Sequence, residues 1–509
     1  MDRKKNEQVK KQTEAHSENA AVSLYLTLML AVMIPLILTM IEGARISAIK
    51  LRLECAADLM ADTLLSEYNR ELLKQYDLLL IDTAYDTGSG SLDHLLEHLE
   101  EYLSYNLQPS KGTYLFTDRD LLGLTLDSAE IVGVSRATDE EGKVFEYLVI
   151  SAMLEKYGLA YVADVQDMIA TSTTQQLYES DIEADCASSQ GAVDAIEVPE
   201  PEPVYDEAGN EIESDWHPPA KDDPAANVRA VSSGGILSLV CKAPVSQISF
   251  AAEWGVDQRS LVKGDGCPED WEDRNTLAEQ LLFNEFVMEK CGCYTEAKEN
   301  SYLQYEIEYI AMGHDNDAEN LKAVAHRLLL FRGGANGVHY AADPVLQSEA
   351  KAMAAGLSFV CFMPECEPLF EAVIAAAWIY AESLADVRVL FSGGRIPLIK
   401  EHSDWNLSLG SALSMGIFMG ISTGMDAADG AIESGHGLNY KDHLRLLLYL
   451  TPAQQKRNRC MNVVEMDIRK IPGYEQFRLD DCVAGAAVQL VFRSSYGYTF
   501  LMERRFRYA

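Results

Sequence analysis

The sequence predicts an α+β protein in which a single N-terminal transmembrane helix continues into an extended amphipathic helix, followed by a helix-rich exported body with a C-terminal β-hairpin. Three observations carry that expectation. Residues 20–41 read AAVSLYLTLMLAVMIPLILTMI without a charge, and about 20 apolar residues of helix cross a hydrocarbon core. Leu53, Ala57, Met60, Leu64, Tyr68 and Leu72 then recur at three- and four-residue steps, one apolar stripe on a helix. Near residue 500, Tyr498, Phe500 and Met502 alternate with Thr499, Leu501 and Glu503, the period of a half-buried strand.

Taken in order, residues 1–19 form a polar tail bearing Arg3, Lys4, Lys5, Lys10 and Lys11. The positive-inside bias places such a tail in the cytoplasm and the body outside. A cleaved signal peptide would carry an apolar run of only about 7–15 residues before a small-residue cleavage site. Here Ile41 leads straight into Glu42-Gly43-Ala44-Arg45, so a retained span with membrane lipid as its partner is expected. Pro35 lies mid-span, where a kinking residue is tolerated. Residues 42–82 are expected as a stalk helix, with only Gly43 as a breaker before Asp86-Thr87-Gly88. Unbroken from Ala21 to Tyr76 it would be a rod of roughly 84 Å, packing either on its own body or on helices of other subunits. Glu42 and Arg45 stand three apart on one helical face at the membrane boundary, where they can pair with each other or across subunits.

The stretch AVSLYLTLMLAVMIPLILTMIEGARISA resembles the N-terminal segment of the TadE/TadG-like minor pseudopilins of tight-adherence (Tad) pili, whose apolar helix closes on an Ile-Glu-x-x-Arg-like signature, here Ile41, Glu42 and Arg45. Further segments, among them YNRELLKQYDLLLIDTAYD, YEIEYIAMGHDNDAENLKAV, WIYAESLADVRVLFSGG and GLNYKDHLRLLLYL, are similar to an uncharacterised family of Gram-positive surface proteins associated with Tad-like systems. The resemblance implies a pilus or secretion context and partners among other pilus or pseudopilin subunits, reached through the N-terminal helix. Pilin processing, as the family implies it, wants a Gly before the cleavage point and a Glu five residues after it. Glu18-Asn19-Ala20-Ala21-Val22-Ser23 offers neither, so a permanently anchored subunit is as compatible with the sequence as an extractable one.

Beyond the stalk, residues 83–195 are expected as a first exported α+β domain, with helices over Leu92–Tyr105 and Gly142–Tyr157 and a strand near Leu124-Thr125-Leu126. Residues 196–226 form an acidic, proline-rich linker, with ten acids and one Lys between Glu197 and Asp223, a composition that buries no core. Residues 227–509 form a second exported α+β domain. Within it, Leu303, Tyr305, Ile307 and Tyr309 alternate with Gln304, Glu306 and Glu308 as a half-buried strand would. A helix from Asp317 to Phe331 is expected to stop at Gly333-Gly334, and a second to open at Pro368 and close at Gly393-Gly394. The ten-residue apolar run 372–381 of the latter is too short to span a membrane. A short amphipathic helix fits Tyr440–Tyr449, and Val488–Phe492 with Tyr498–Tyr508 make the terminal hairpin.

Composition bounds the function. The 509 residues carry 42 Lys+Arg against 79 Asp+Glu, a net charge of −37, with 48% apolar residues. Such a chain is globular, and its surface repels phosphate backbones, so nucleic acid is not an expected partner. Dinucleotide, P-loop and zincin signatures are absent, so no enzyme activity or cofactor is predicted. The ten cysteines, at 55, 186, 241, 267, 291, 293, 361, 366, 460 and 482, are too sparse for a disulfide framework and lack zinc-ribbon spacing; free thiols, isolated disulfides and a bridge between subunits at Cys55 all remain open. His94 and His98 read as solvated helix-face residues rather than metal ligands, and Asp315-Asn316-Asp317-Ala318-Glu319 as a helix cap rather than a calcium loop. Glu382 and Asp386 share a helical face and read as ion-pair partners of Arg388 or Arg395. The function expected is a membrane-anchored structural or assembly subunit; the alternative is a membrane-tethered extracytoplasmic binding module or enzyme.

Overall fold

The computed structural model describes residues 2–85, 87–107, 122–171, 204–205, 211–212, 235–259, 263–266, 277–360, 363–398, 400–410 and 437–508. The chain is α+β. Helix α1 (Asp2–Leu65) is continuous through Pro35 and divides into two environments. From Val22 to Ile41 its large side chains are exposed, and this is the one helix among the described residues long and apolar enough to cross a membrane. From Ile49 onward Leu53, Ala56, Ala57, Met60 and Leu64 are buried, packed against α3 (Leu92–Leu107) and the last strand. The amphipathic continuation therefore exists, but it is an arm of the body rather than a free stalk. It also stops short of Tyr76: the chain turns after Leu65, and α2 (Arg70–Tyr76) starts afresh under Asn69, whose Oδ1 accepts from the Glu71 and Leu72 amides. An Asn at that position satisfies two otherwise orphaned N–H groups, which favours a new start over continuation.

The sheet is built around its penultimate strand. Strands β1 (Ile81–Asp82) and β2 (Leu124–Arg136) precede α4 (Asp139–Thr171), and a two-residue pair, β3 (Val204–Tyr205) with β4 (Glu211–Ile212), falls in the acidic stretch. Strand β5 (Cys482–Ser494) pairs antiparallel with β2 along one edge and with β6 (Thr499–Arg507), followed by β1, along the other. The expected terminal hairpin is thus β5–β6, and β5 is also the central strand. Sheet and main apolar core bridge the acidic stretch expected as a linker: one contiguous cluster runs from Ile49 through Phe145 and Phe286 to Val464 and Tyr508.

The remaining helices are α5 (Ile236–Val240), α6 (Leu277–Lys290), α7 (Glu306–Met312), α8 (Asp317–Ala342), α9 (Pro344–Val360), α10 (Glu367–Phe391), α11 (Tyr440–Leu450) and α12 (Ala453–Arg469). Two expectations are corrected here. The alternating segment 303–309 is not a strand; it leads into α7, and Glu306 and Glu308 are as buried as Ile307 and Tyr309. Alternation signals a strand only when the polar set faces water, and here it does not. Helix α8 runs through Gly333 and Gly334 to Ala342; each glycine costs about 1 kcal/mol against alanine, less than the packing of α8 on α10 returns. A second, smaller core gathers Leu346, Ala350, Ala354, Ile374, Trp378, Leu407 and Leu409 between α9, α10 and the loop beyond. The apolar run of α10 is a core element, as expected, with Trp378 buried and donating to the Leu407 carbonyl. Asn439 and Asp442 close a capping box at the start of α11.

Candidate functional site

The boundary residues Glu42 and Arg45 do come together. Arg45 Nη1 donates to Glu42 Oε2 at 2.5 Å, and a third party joins them from the far end of the chain. The Tyr498 hydroxyl donates to Glu42 Oε1, and the Arg45 guanidinium stacks over the Tyr496 ring, 4.2 Å from its centroid. The hydrogen bond to the Glu42 carboxylate holds the Tyr498 phenol above its usual range. Both tyrosines belong to the β5–β6 turn, where Gly497 supplies a positive φ of 86° and its amide closes on the Ser494 carbonyl, a conformation that favours glycine.

This contact is the first of a series. Arg504 pairs with Asp58, and the Tyr508 hydroxyl donates to the Leu65 carbonyl at 2.6 Å. Strand β6 therefore lies along the outer half of α1 for its whole length, joining anchor and body as one unit. The side chains of Glu42 and Arg45 are about one-third exposed, so solvent screens the ion pair and its value lies mostly in orientation.

Glu382 and Asp386 are ion-paired, but not to Arg388 or Arg395, which instead donate to the Leu239 and Gly437 carbonyls. Their partners are Arg332 and Lys400. Arg332 Nη2 lies 2.9 Å from Asp386 Oδ2; Lys400 Nζ bonds Asp386 Oδ1 at 2.7 Å and also Glu382. Glu382 additionally accepts the Asn406 and Leu407 amides, both at 2.9 Å, and Asn336 bridges Ser383 and Asp386. All four charged side chains are buried and the set is neutral. Burial raises the Glu382 carboxyl, and Lys400 opposes that shift. The network fastens the loop around residues 397–407 to α8 and α10, and it leaves no acid or base facing solvent.

A second buried cluster lies where α6, α7 and α12 meet. The Tyr76 hydroxyl and the Tyr302 amide donate to Asp467 at 2.5 and 2.7 Å, and the Gly292 amide donates to Glu306 at 2.7 Å. Burial raises both carboxyls, and the neighbouring Asp467 charge raises Glu306 further. Beside them the neighbouring Cys460 thiol together with burial holds the Cys291 thiol far above the thiolate range. Next to the pair Glu308 accepts from the Tyr294 amide and the Tyr440 hydroxyl at 2.8 and 2.7 Å; burial pushes its carboxyl up to about 7. These groups are perturbed chiefly by desolvation deep in the core.

His94 and His98, expected as solvated helix-face residues, are half-buried and bond the Thr83 carbonyl and Glu67. Asn316 caps α8 through the Glu319 amide, while Asp317 is buried and accepts from the Ser246 hydroxyl. Cys55, Cys241, Cys291, Cys293, Cys366, Cys460 and Cys482 are free thiols; Cys186, Cys267 and Cys361 lie outside the described residues. So does Gly420-Ile421-Ser422-Thr423-Gly424, a G-x-S-x-G sequence match that the expected absence of catalytic signatures overlooks.

Fold and site together define an α+β protein whose long apolar N-terminal helix is fastened to its body by a C-terminal hairpin, with closed charge networks inside. Residues 214–494 match the model of DUF5702, a family of unknown function, and the chain belongs to that family. The match ends with β5, so Glu42, Arg45, Tyr496 and Tyr498 all lie outside it. No curated protein matches the chain, and no solved structure does.

Proposed function

We propose that the protein is a membrane-anchored, surface-exposed structural or assembly component of a Tad-like, type IV-related pilus or secretion system, with its N terminus in the cytoplasm and its body outside. The observation that carries this reading is the absence of a hinge in α1. The exposed apolar half and the buried half form one helix, and β6 braces the junction. A tether for an independent domain needs slack between span and body; a building block needs the opposite. The outer face of α1 supports the same reading. Leu51 and Leu59 are 63% and 51% exposed, with Cys55 exposed between them, so an apolar line extends beyond the membrane on the side turned away from the body. Helices of other subunits fit that line.

The test is recovery of the mature protein from cells, with its mass, its N-terminal sequence and its fraction, after treatment with a thiol-to-thiol cross-linker. The chain is expected in membranes or sheared surface filaments, cross-linked through Cys55 to a neighbouring subunit, with the cross-link lost in Cys55→Ser. A tail removed up to Asn19 with release into filaments identifies an extractable subunit; an intact tail in the membrane identifies a fixed one. Recovery as an uncross-linked monomer overturns the assembly role in favour of a tethered module.

A further inference from the structure

We propose that the β5–β6 turn is a second membrane-contacting element, setting Tyr496 and Arg493 in the headgroup layer of the bilayer that holds α1. The proposal rests on the reading of residues 22–41 as a span. Its geometry is fixed by three contacts. Tyr498 meets Glu42, Arg504 meets Asp58 and Tyr508 meets Leu65. From Glu42 to Leu65 the helix rises about 35 Å, and from Tyr498 to Tyr508 the strand advances about 33 Å. Contacts at both ends and in the middle, over equal lengths, mean that β6 and α1 run side by side in the same direction, away from the membrane. The turn preceding β6 therefore points back toward the apolar half of α1, with residues 495–497 closing it just beyond Tyr498. Glu42 is the first residue after the apolar run, so the turn lies at the lipid boundary.

The chemistry of the turn suits that depth. Tyr496 is 45% exposed and its ring already stacks on Arg45; Arg493, with a side chain 61% exposed, pairs with Asp127 beside it. A tyrosine with neighbouring guanidinium groups is the composition found where proteins meet headgroups, since the ring takes the apolar side and the cations take the phosphates. Two contacts, the helix and the turn, fix the tilt of the body where one helix alone leaves it free to swing.

The full-length protein is placed in phosphatidylcholine vesicles containing a lipid with a nitroxide on its headgroup, and Tyr496→Trp is compared with Arg505→Trp and the parent. Arg505 is exposed on the same strand, about 30 Å farther from the boundary. The Tyr496→Trp variant is expected to lose most of its added emission to the nitroxide, while the Arg505→Trp variant keeps its own. Equal quenching of both, or of neither, in protein that floats with the vesicles overturns the turn contact and leaves the anchor standing. Protein that does not float overturns both.

Discussion

Lys400 sits in a closed and buried balance of charge. It is one of two cations for two carboxylates, and all four side chains are buried. Replacing it leaves a buried negative charge uncompensated, which costs about 3–5 kcal/mol. Lys400→Met is therefore expected to lower the denaturant midpoint sharply, and adding Glu382→Gln, which restores neutrality, to recover much of the loss. Glu308 gives a pH signature. Its folded carboxyl titrates at about 7 against an ordinary 4.5, so its contribution to stability is fully present below about 4.5 and is lost as pH rises through 7. The shift corresponds to about 3 kcal/mol. Unfolding of Glu308→Gln, followed from pH 4 to 8, is expected to show a weaker decline than the parent, and the difference between the two curves isolates this group from Glu306 and Asp467, which shift the same way. His443 works in the opposite sense, burial lowering it to about 4, so its contribution fades as pH falls from 6.5 toward 4. The Glu306 and Glu308 network was not legible in the sequence, because alternating acids look the same whether they face water or each other's hydrogen bonds.

At the scale of elements, what could be read depended on where each apolar face ends up. The stripe Leu53, Ala57, Met60 and Leu64 was legible because one helix face is buried and the other wet. Its partner was not, since a stripe names no neighbour; the neighbour is α3 on one flank and β6 on the other. Leu53→Ala is expected to cost about 2–5 kcal/mol of stability while leaving the chain in the membrane fraction, because the cavity opens between arm and body and not in the span. Helices α6 and α12 escaped the sequence because their surfaces are buried on several sides, whereas α9 buries one face of mostly small residues, Leu346, Ala350, Ala354 and Ser358, which carries little apolar contrast. In α12, Lys456, Arg457, Glu465, Asp467 and Arg469 are all buried alongside its apolar residues, which erases the contrast that periodicity detects.

For the whole molecule, α+β class, a long apolar N-terminal helix and the terminal hairpin all follow from local pattern, and all three are present. The pairing of β5 with β2, and the closure of Glu42 and Arg45 by Tyr498 and Tyr496, could not follow, because nothing local links residue 42 to residue 498. Of the candidate site, the sequence showed the helix side and not the hairpin side. The placement of β5 also has a consequence for biogenesis. Synthesis delivers α1, α3 and β2 first, yet the strand that pairs with β2 is residues 482–494, and the strand that flanks α1 follows at 499–507. Until they arrive, β2 is unpaired and one flank of the apolar stripe of α1 is uncovered, so the emerging chain passes through a long interval exposed to misassociation. Under the proposed reading of α1 as an anchor, that helix is then a safeguard of timing as well as of place: it keeps each unfinished chain at its own point on the membrane until the last strand closes the sheet.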